Sequence, residues 1–331
     1  MKFDYQKICR ELLRDLPQRQ KEIILRRFGL SPEASRQGGV KGETLESIGK
    51  SYGITRERIR QIEKEGFLKL KPKIEQSQKI FQYFSKYLKA QGGLKKEDIL
   101  LEQLGGENQK PQVYFLLISG PNFERFGETE DFYSLWTINR NSLSIAKKFI
   151  DSVFSKLKEI GKPLSLKELS SFSDLKNPVL LAYLEISKEI QKNPEGLFGL
   201  RDWPEINPRG IKDKAYLVFK KEKKPLHFTE VARLLEGSLV QTVHNELIKD
   251  SRFVLVGRGI YALEEWGYYP GQVKDVILRV LREERKPITK EEILEKVLEQ
   301  RLVKENTILL NLSNKKYFER DVQGKYKVKE I

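Results

Sequence analysis

The sequence is poor in the residues that build disulfides and metal sites. Of 331 residues, one is cysteine, two are histidine and one is methionine. The single cysteine, Cys9, excludes a disulfide within the chain and suits a reducing compartment. It opens an amphipathic helical pattern and is predicted to be a small buried apolar filler. His227 and His244 stand far apart without a Cys/His cluster, so no metal site is expected and both are interpreted as structural.

Long apolar runs and a secretory leader are also missing. Charged residues such as Lys2, Asp4 and Lys7 interrupt the beginning of the chain, which therefore does not read as a signal peptide. No stretch approaches the roughly 20 apolar residues that a membrane span needs. We expect a cytoplasmic protein with no membrane partner.

Motifs for catalysis are likewise not found. Carboxylates are plentiful but scattered, and the sequence contains no Gly-x-Ser-x-Gly nucleophile motif. The Gly257-Arg258-Gly259 segment lacks the Gly-Lys-Ser/Thr that completes a phosphate loop. The sequence predicts neither an enzyme nor a cofactor, and no small-molecule substrate.

Positive charge is abundant and unevenly distributed. The chain has 62 Lys and Arg against 47 Asp and Glu, a net charge of +15. Residues 1–80 carry 19 basic and 11 acidic side chains, a net of +8, which leaves +7 for the other 251 residues. A basic excess of this size predicts a polyanionic partner. More than half of it lies in the first quarter of the chain, together with the helix-turn-helix pattern described next, for which double-stranded DNA is the expected partner.

Residues 44–73 have the pattern of a helix-turn-helix. A short helix with Leu45 and Ile48 on one face leads to Gly53, which permits a sharp turn. Thr55 then occupies the N-cap position of a second helix. The apolar stripe of that helix comprises Ile59, Ile62, Gly66, Phe67 and Leu70. Its outward residues are Arg56, Glu57, Arg58, Arg60, Gln61 and Lys64. A charged helix face is often only solvated, but the turn chemistry favours DNA reading by this helix.

This stretch resembles region 4 of primary-type bacterial RNA polymerase sigma factors. The likeness rests on residues 55–63, Thr-Arg-Glu-Arg-Ile-Arg-Gln-Ile-Glu, on the following Leu-Lys-Leu-Lys, and on residues 16–30 upstream. It covers about residues 10–73 and implies recognition of a minus-35 promoter element. Two departures are the Gly-rich loop at residues 31–43 and the acidic residue Glu65.

The resemblance implies roles for individual side chains. Arg56, Glu57 and Gln61 match base-reading positions, whereas Arg58 and Arg60 match positions at the DNA backbone. The full set expected to contact DNA in this domain is Thr44, Leu45, Thr55, Arg56, Glu57, Arg58, Arg60, Gln61 and Lys64.

From about residue 76 the sequence repeats itself. Pro163, Pro225 and Pro287 begin similar motifs exactly 62 residues apart, and Trp136, Trp203 and Trp266 recur near the ends of the copies. Ser165 with Glu168, and Thr289 with Glu292, fit helix capping boxes. Each copy predicts three helices and an aromatic β-hairpin, the plan of a winged helix.

We therefore predict a mainly α fold with small β-hairpin wings: a helix-turn-helix domain followed by tandem winged-helix domains. The domain boundaries are 1–75 for the helix-turn-helix domain, then 76–140, 141–206, 207–268 and 269–331 for repeats 1 to 4. Repeat 3 also resembles the HARE-HTH domain of the RNA polymerase delta subunit, through residues 225–231 and 253–263. At its wing tip, Arg258 is a candidate for minor-groove contact, although winged helices also serve as protein docks.

The interpretation is a transcription regulator that reads a minus-35-like element and docks RNA polymerase or flanking DNA through its repeats. Domains that in complete sigma factors precede region 4 are not expected here, so the chain is not expected to open a promoter alone. One alternative is a delta-like polymerase-associated protein in which DNA contact is secondary. Another is an accessory DNA-binding protein of restriction or modification systems.

Overall fold

Helices dominate the structure, and short antiparallel sheets lie between them. This computed structural model describes residues 3–31 and 42–329, so most of the predicted 31–43 loop lies outside the described residues. The chain divides into an N-terminal unit, Met1–Arg201, and a C-terminal unit, Asp202–Ile331.

The N-terminal unit begins with the predicted helix-turn-helix region. Its helices are α1 (Tyr5–Leu13), α2 (Gln18–Arg27), α3 (Leu45–Tyr52) and α4 (Arg56–Gln76). Asp4 caps α1 by accepting a hydrogen bond from the Lys7 backbone N–H at 3.0 Å, and α2 begins directly after Pro17. Cys9 is buried, as predicted, and burial raises the pKa of its thiol to about 12. A thiol held in the neutral form is a poor nucleophile, so the packing role fits.

Of the two predicted effects of Pro72, the end of α4 is wrong, because the helix continues through Pro72 to Gln76. A kink at this position stays a prediction. Proline removes one backbone donor, which leaves the carbonyl of Leu68 without its usual partner. Leu68 is 61% exposed, and Pro72 is exposed as well. Water can therefore reach the freed carbonyl on this face, which makes the proline tolerable inside the helix.

The rest of the N-terminal unit contains repeats 1 and 2. Repeat 1 comprises α5 (Gln78–Ala90), β1 (Leu94–Lys96), α6 (Glu97–Gly105), α7 (Lys110–Ser119), β2 (Glu124–Phe126) and β3 (Leu135–Thr137). Repeat 2 comprises α8 (Arg140–Ile160), β4 (Leu164–Ser165), α9 (Leu166–Ser170), α10 (Asn177–Ile186), β5 (Ile190–Lys192) and β6 (Leu197–Leu200).

In the C-terminal unit, repeat 3 has the same order of elements, and the described residues of repeat 4 have the helices and hairpin without the strand after the first helix. Repeat 3 comprises α11 (Gly210–Glu222), β7 (Leu226–His227), α12 (Phe228–Leu234), α13 (Val240–Lys249), β8 (Phe253–Gly257) and β9 (Ile260–Leu263). Repeat 4 comprises α14 (Val273–Glu284), α15 (Lys290–Gln300), α16 (Glu305–Leu312), β10 (Phe318–Arg320) and β11 (Tyr326–Val328).

The sheets share one topology. In repeats 1 to 3, the strand between the first two helices pairs antiparallel with the last hairpin strand, giving the orders β1-β3-β2, β4-β6-β5 and β7-β9-β8. In repeat 4 the equivalent contact is an isolated bridge between Ile288 and Tyr326. The motifs that begin at Pro163 and Pro225 therefore form a third strand, whereas the sequence had indicated only a hairpin and a helix entry. Both predicted capping boxes, at Ser165 and Thr289, are confirmed.

One hydrophobic core joins the helix-turn-helix region to repeat 1. Its buried residues extend from Tyr5 through Phe28, Leu70 and Phe84 to Trp136. Helix α7 lies within this core and packs against α1, α4 and α6. Phe115 on α7 stands 5.4 Å, between ring centroids, from Phe28. The first repeat is thus part of the same packed body as the helix-turn-helix.

Candidate nucleic-acid interface

The turn between α3 and α4 has the geometry that the sequence predicts. Thr44 caps α3, its hydroxyl accepting from the Ser47 backbone N–H at 3.1 Å. Gly53 adopts φ +66° in the left-handed region, which favours glycine. Thr55 caps α4 by accepting from the Arg58 backbone N–H at 3.2 Å. These contacts satisfy donors at the beginning of both helices and fix where α4 starts.

A second glycine, Gly49, allows the turn to close. A Cβ atom on Gly49 would lie 2.7 Å from the backbone oxygen of Ile54, closer than carbon and oxygen tolerate. The loop therefore passes directly over the last turn of α3. Gly66 plays a similar part on α4, where an added Cβ would lie 2.9 Å from the Ile24 side chain on α2.

A small apolar core lies beneath the turn. Ile23, Ile48, Ile59 and Ile62 are buried together, and half-buried Leu45 packs against them. Ile59 and Ile62 face inward, so the remaining positions of the first two turns of α4 point to solvent. Leu45, a predicted DNA contact, is therefore half-buried against this core.

Polar contacts tie α2 to the start of α3. Arg26 forms a two-pronged ion pair with Glu43, at 2.7 and 2.6 Å, and also donates to the Ser51 hydroxyl at 2.8 Å. This hydrogen-bonding holds the pKa of Glu43 below its ordinary value. Ser47 donates a further hydrogen bond to the Glu43 carboxylate at 3.1 Å. Sequence reasoning missed this network, since Arg26 and Glu43 lie far apart along the chain and share no motif.

The outward face at the beginning of α4 is a row of exposed polar side chains. Arg60 pairs with Glu57, through hydrogen bonds of 2.9 and 2.7 Å. Arg58 donates to the side-chain oxygen of Gln61 at 3.1 Å. The hydrogen bonds from Arg60, with the nearby charges of Arg60 and Arg56, lower the pKa of Glu57. Predicted base-reading and phosphate-contacting residues are thus paired with one another in the free protein.

The remaining predicted contacts occupy separate positions. Thr44, Thr55, Arg56 and Lys64 are exposed, the first two at the caps and the other two along α4. Lys64 has no ion-pair partner among the residues that the structure describes. Arg258 is exposed at the β8–β9 turn in the C-terminal unit, in a different unit from the other nine residues.

Metal sites and membrane spans are the two other features that the sequence is expected to lack. Within residues 3–31 and 42–329, no group of three His, Cys, Asp or Glu side chains could hold a metal ion. In the same part of the chain, no helix has the length and apolar character required to cross a bilayer.

Capped helices, a glycine turn and an exposed polar N-terminal face on the second helix define a helix-turn-helix. Comparison with known proteins specifies its class, because residues 12–72 match the family model "Sigma-70, region 4". Residues 12–72 are therefore a Sigma-70 region 4 domain, within the span of about 10–73 that the sequence predicts.

Three curated relatives match part of this chain. Across 61 residues the chain is 44% identical to the RNA polymerase principal sigma factor HrdD of Streptomyces viridifaciens. It is 41% identical to RNA polymerase sigma factor SigA of a Bacillus species, also over 61 residues. Across 71 residues it is 39% identical to RNA polymerase sigma factor RpoD of Helicobacter pylori. These matches cover 18%, 18% and 22% of this chain, and only 16%, 14% and 10% of the respective relatives.

Proposed function

We propose that this protein is a DNA-binding transcription regulator in which α4 reads a minus-35-like element. We further propose that its four repeats are winged helices, and that repeats 3 and 4 dock RNA polymerase rather than flanking DNA. The observation that supports the first part best is the exposed side-chain row at the capped beginning of α4. A Sigma-70 region 4 domain provides the context, since the named relatives are RNA polymerase sigma factors.

The side chains of this row suit base recognition in a major groove. Arginine can donate two hydrogen bonds to guanine, glutamine can pair with adenine, and a glutamate carboxylate can accept from cytosine. Arg56, Glu57 and Gln61 would supply these three chemistries, near the helix end that enters the groove in helix-turn-helix proteins. Arg58, Arg60 and Lys64 would contact phosphates on either side.

The winged-helix assignment is supported by the shared strand order and by the helix–strand–helix–helix–hairpin sequence of the repeats. In a winged helix, the third helix is the natural DNA reader. In repeat 1, however, the third helix is α7, whose Val113, Phe115 and Leu116 are completely buried. In repeat 2 it is α10, which packs against β1 and α8. Neither helix has a free face wide enough to enter a DNA groove, so we propose that both act as internal protein contacts.

Repeats 3 and 4 present third helices of a different character. On α13 and just before it, Leu239, Val240 and Ile248 are exposed at 75%, 45% and 62%. On α16, Leu310 is 74% exposed. Exposed apolar side chains favour contact with protein over contact with phosphates. This favours docking by a HARE-HTH-like third repeat and keeps a delta-like, polymerase-associated role as the second candidate.

The DNA-reading and the polymerase-associated functions predict different effects of replacing Arg56. A binding-and-sequencing assay with the full chain should recover a minus-35-like motif, and Arg56→Ala or Gln61→Ala should relax one base position at a cost of about 1–3 kcal/mol. Glu46→Ala, on the solvent face of α3, is the matched control. If all four proteins select the same sequences, or none, α4 is not the reader. If Arg56→Ala still binds RNA polymerase but no longer selects a DNA sequence, the docking of the polymerase and the reading of DNA use different residues.

A further inference from the structure

A broad groove lies beside the proposed DNA-reading end, between α4, α5 and the end of α7. It encloses about 940 Å³ and belongs entirely to the N-terminal unit. Apolar side chains form its floor, chiefly Phe67 and Leu68 on α4, Phe81 on α5 and Ile118 on α7. Leu68 is 61% exposed and Ile118 is 39% exposed, so two large aliphatic groups stand in water there.

Cationic side chains line both walls of the groove. Lys64 and Lys71 belong to the α4 wall, and Lys86 and Lys89 belong to the α5 wall. Lys64 and Lys71 are seven residues apart, two helical turns, so they share a face about 10 Å long. None of the four lysines has an ion-pair partner among the described residues, and Glu75 is the one carboxylate that lines the groove within that part of the chain.

We propose that this groove is the docking site for an acidic amphipathic helix of a partner protein. An apolar floor with charge on both sides matches a helix that presents Leu-like anchors at positions i, i+3, i+4 and i+7. Acidic residues flanking that stripe would lie opposite the two lysine walls. Complementary charge of this kind steers association and fixes orientation, while the apolar anchors supply most of the affinity.

Nucleic acid fits the groove less well. DNA phosphates could pair with the lysines, but the duplex backbone has no apolar surface that would bury Leu68 and Ile118. A partner helix would bury both side chains and would place its carboxylates opposite Lys71, Lys86 and Lys89 in one contact. The inference does not depend on which DNA sequence α4 reads.

The test uses the full chain and a fluorescein-labelled designed peptide of about four helical turns, with leucines on one face and glutamates on both flanks. Fluorescence anisotropy should show saturable binding that weakens as salt rises. Two matched peptides, one with lysines replacing the glutamates and one with serines replacing the leucines, should bind at least about tenfold more weakly. The double variant Leu68→Ser/Ile118→Ser should lose about tenfold or more in affinity for the acidic peptide, as should Lys71→Glu.

Two variants control for other effects. Ile145→Ser changes an exposed isoleucine on α8, outside the groove, and should bind the peptide normally. Arg56→Ala removes a proposed base contact and should also leave peptide binding intact, which separates this test from that of the DNA-reading function. All the replaced side chains are at least partly exposed, so we expect each variant to fold. Circular dichroism checks this.

The proposal is overturned if the acidic peptide shows no saturable binding, or if the lysine peptide binds equally well. It is also overturned if Leu68→Ser/Ile118→Ser weakens duplex DNA as much as it weakens the peptide, because the groove would then belong to nucleic acid.

Discussion

Arg60 holds the carboxylate of Glu57 through two hydrogen bonds, one to each carboxylate oxygen, from Nε at 2.9 Å and from Nη2 at 2.7 Å. The pair lies one turn apart on the exposed face of α4. In the proposed interface, Glu57 would meet a base and Arg60 a phosphate. The two roles are therefore coupled, since removing either side chain changes the charge and orientation of the other.

Glu57→Gln should expose this coupling. The amide keeps the shape of the side chain but gives up the charge that holds Arg60. We expect a relaxed preference at one base pair, by about 1–3 kcal/mol, together with tighter binding to non-specific duplex, because Arg60 is then released toward phosphate. A double-mutant cycle with Arg60→Ala measures the coupling. Simple additivity of the two changes would contradict it.

The pH dependence of the pair has a definite sign. The Arg60 hydrogen bonds lower the pKa of Glu57 in the folded protein. The contribution of the pair is therefore present above the ordinary glutamate pKa of about 4.3 and is lost only as the pH falls through the lower folded value. Base preference at the Glu57 position should stay constant from neutral to mildly acidic pH. Site selection repeated across that range checks this, and a change at pH 6 would point to another titrating group.

Lys64 should behave differently from Arg60 in salt. It has no ion-pair partner in the described part of the chain, so its full charge is available to a phosphate. Lys64→Ala should reduce the slope of log affinity against log salt by about 0.9 and weaken all sequences alike. Arg60→Ala should reduce the slope by less, because Glu57 already offsets part of its charge. Equal slopes for the two variants would refute this difference.

Gly49→Ala should destabilise the helix-turn-helix through the backbone. The added methyl would meet the Ile54 oxygen at 2.7 Å, and neither group is a flexible side-chain end. We expect a loss of about 1–3 kcal/mol in the free energy of unfolding. Lys50→Ala, at the next and exposed position, is the control and should stay within about 0.5 kcal/mol. Denaturant unfolding of both variants measures the two losses of stability. An unchanged unfolding midpoint for Gly49→Ala would mean that the turn can shift to accept the methyl group.

Local chemistry explains why parts of this fold were predictable from sequence. The helix caps and the glycine turn are formed by residues that lie close together in the sequence, namely Gly53, Thr55 and the capping-box pairs. A short motif is therefore enough to predict each of them. Arg26 with Glu43 and Phe28 with Phe115 are long-range partners that no periodicity connects. The burial of α7 and α10 was not predictable for the same reason, since an apolar helix looks alike whether it fills its own repeat or packs against the preceding one.

The contact between repeats 1 and 2 includes a buried ion pair. Lys95 on β1 is 2% exposed and lies 2.7 Å from Glu185 on α10. Its ammonium also donates to Gln91 at 3.1 Å. Glu185→Gln should leave an uncompensated buried charge and cost about 3–5 kcal/mol. The double variant Lys95→Met/Glu185→Leu should recover most of that loss, as measured by thermal unfolding, and a double variant no better than the single one would contradict the explanation.

A fragment of residues 1–75 should not fold as the intact domain does. Its boundary separates the helix-turn-helix from α5 and α7, which complete the core around Phe28 and Leu70. The ring centroid of Phe67 stands 6.0 Å from that of Phe115 on α7. Without α7, the Phe67 ring would face water in the fragment. Exposing this surface removes burial worth about 25 cal/mol per Å². We expect the fragment to aggregate or to unfold at lower denaturant than residues 1–140, which end with the first repeat. DNA affinity measured on the longer fragment therefore isolates the contribution of α4, whereas comparable stability of the two fragments would show that the helix-turn-helix needs no support from α7.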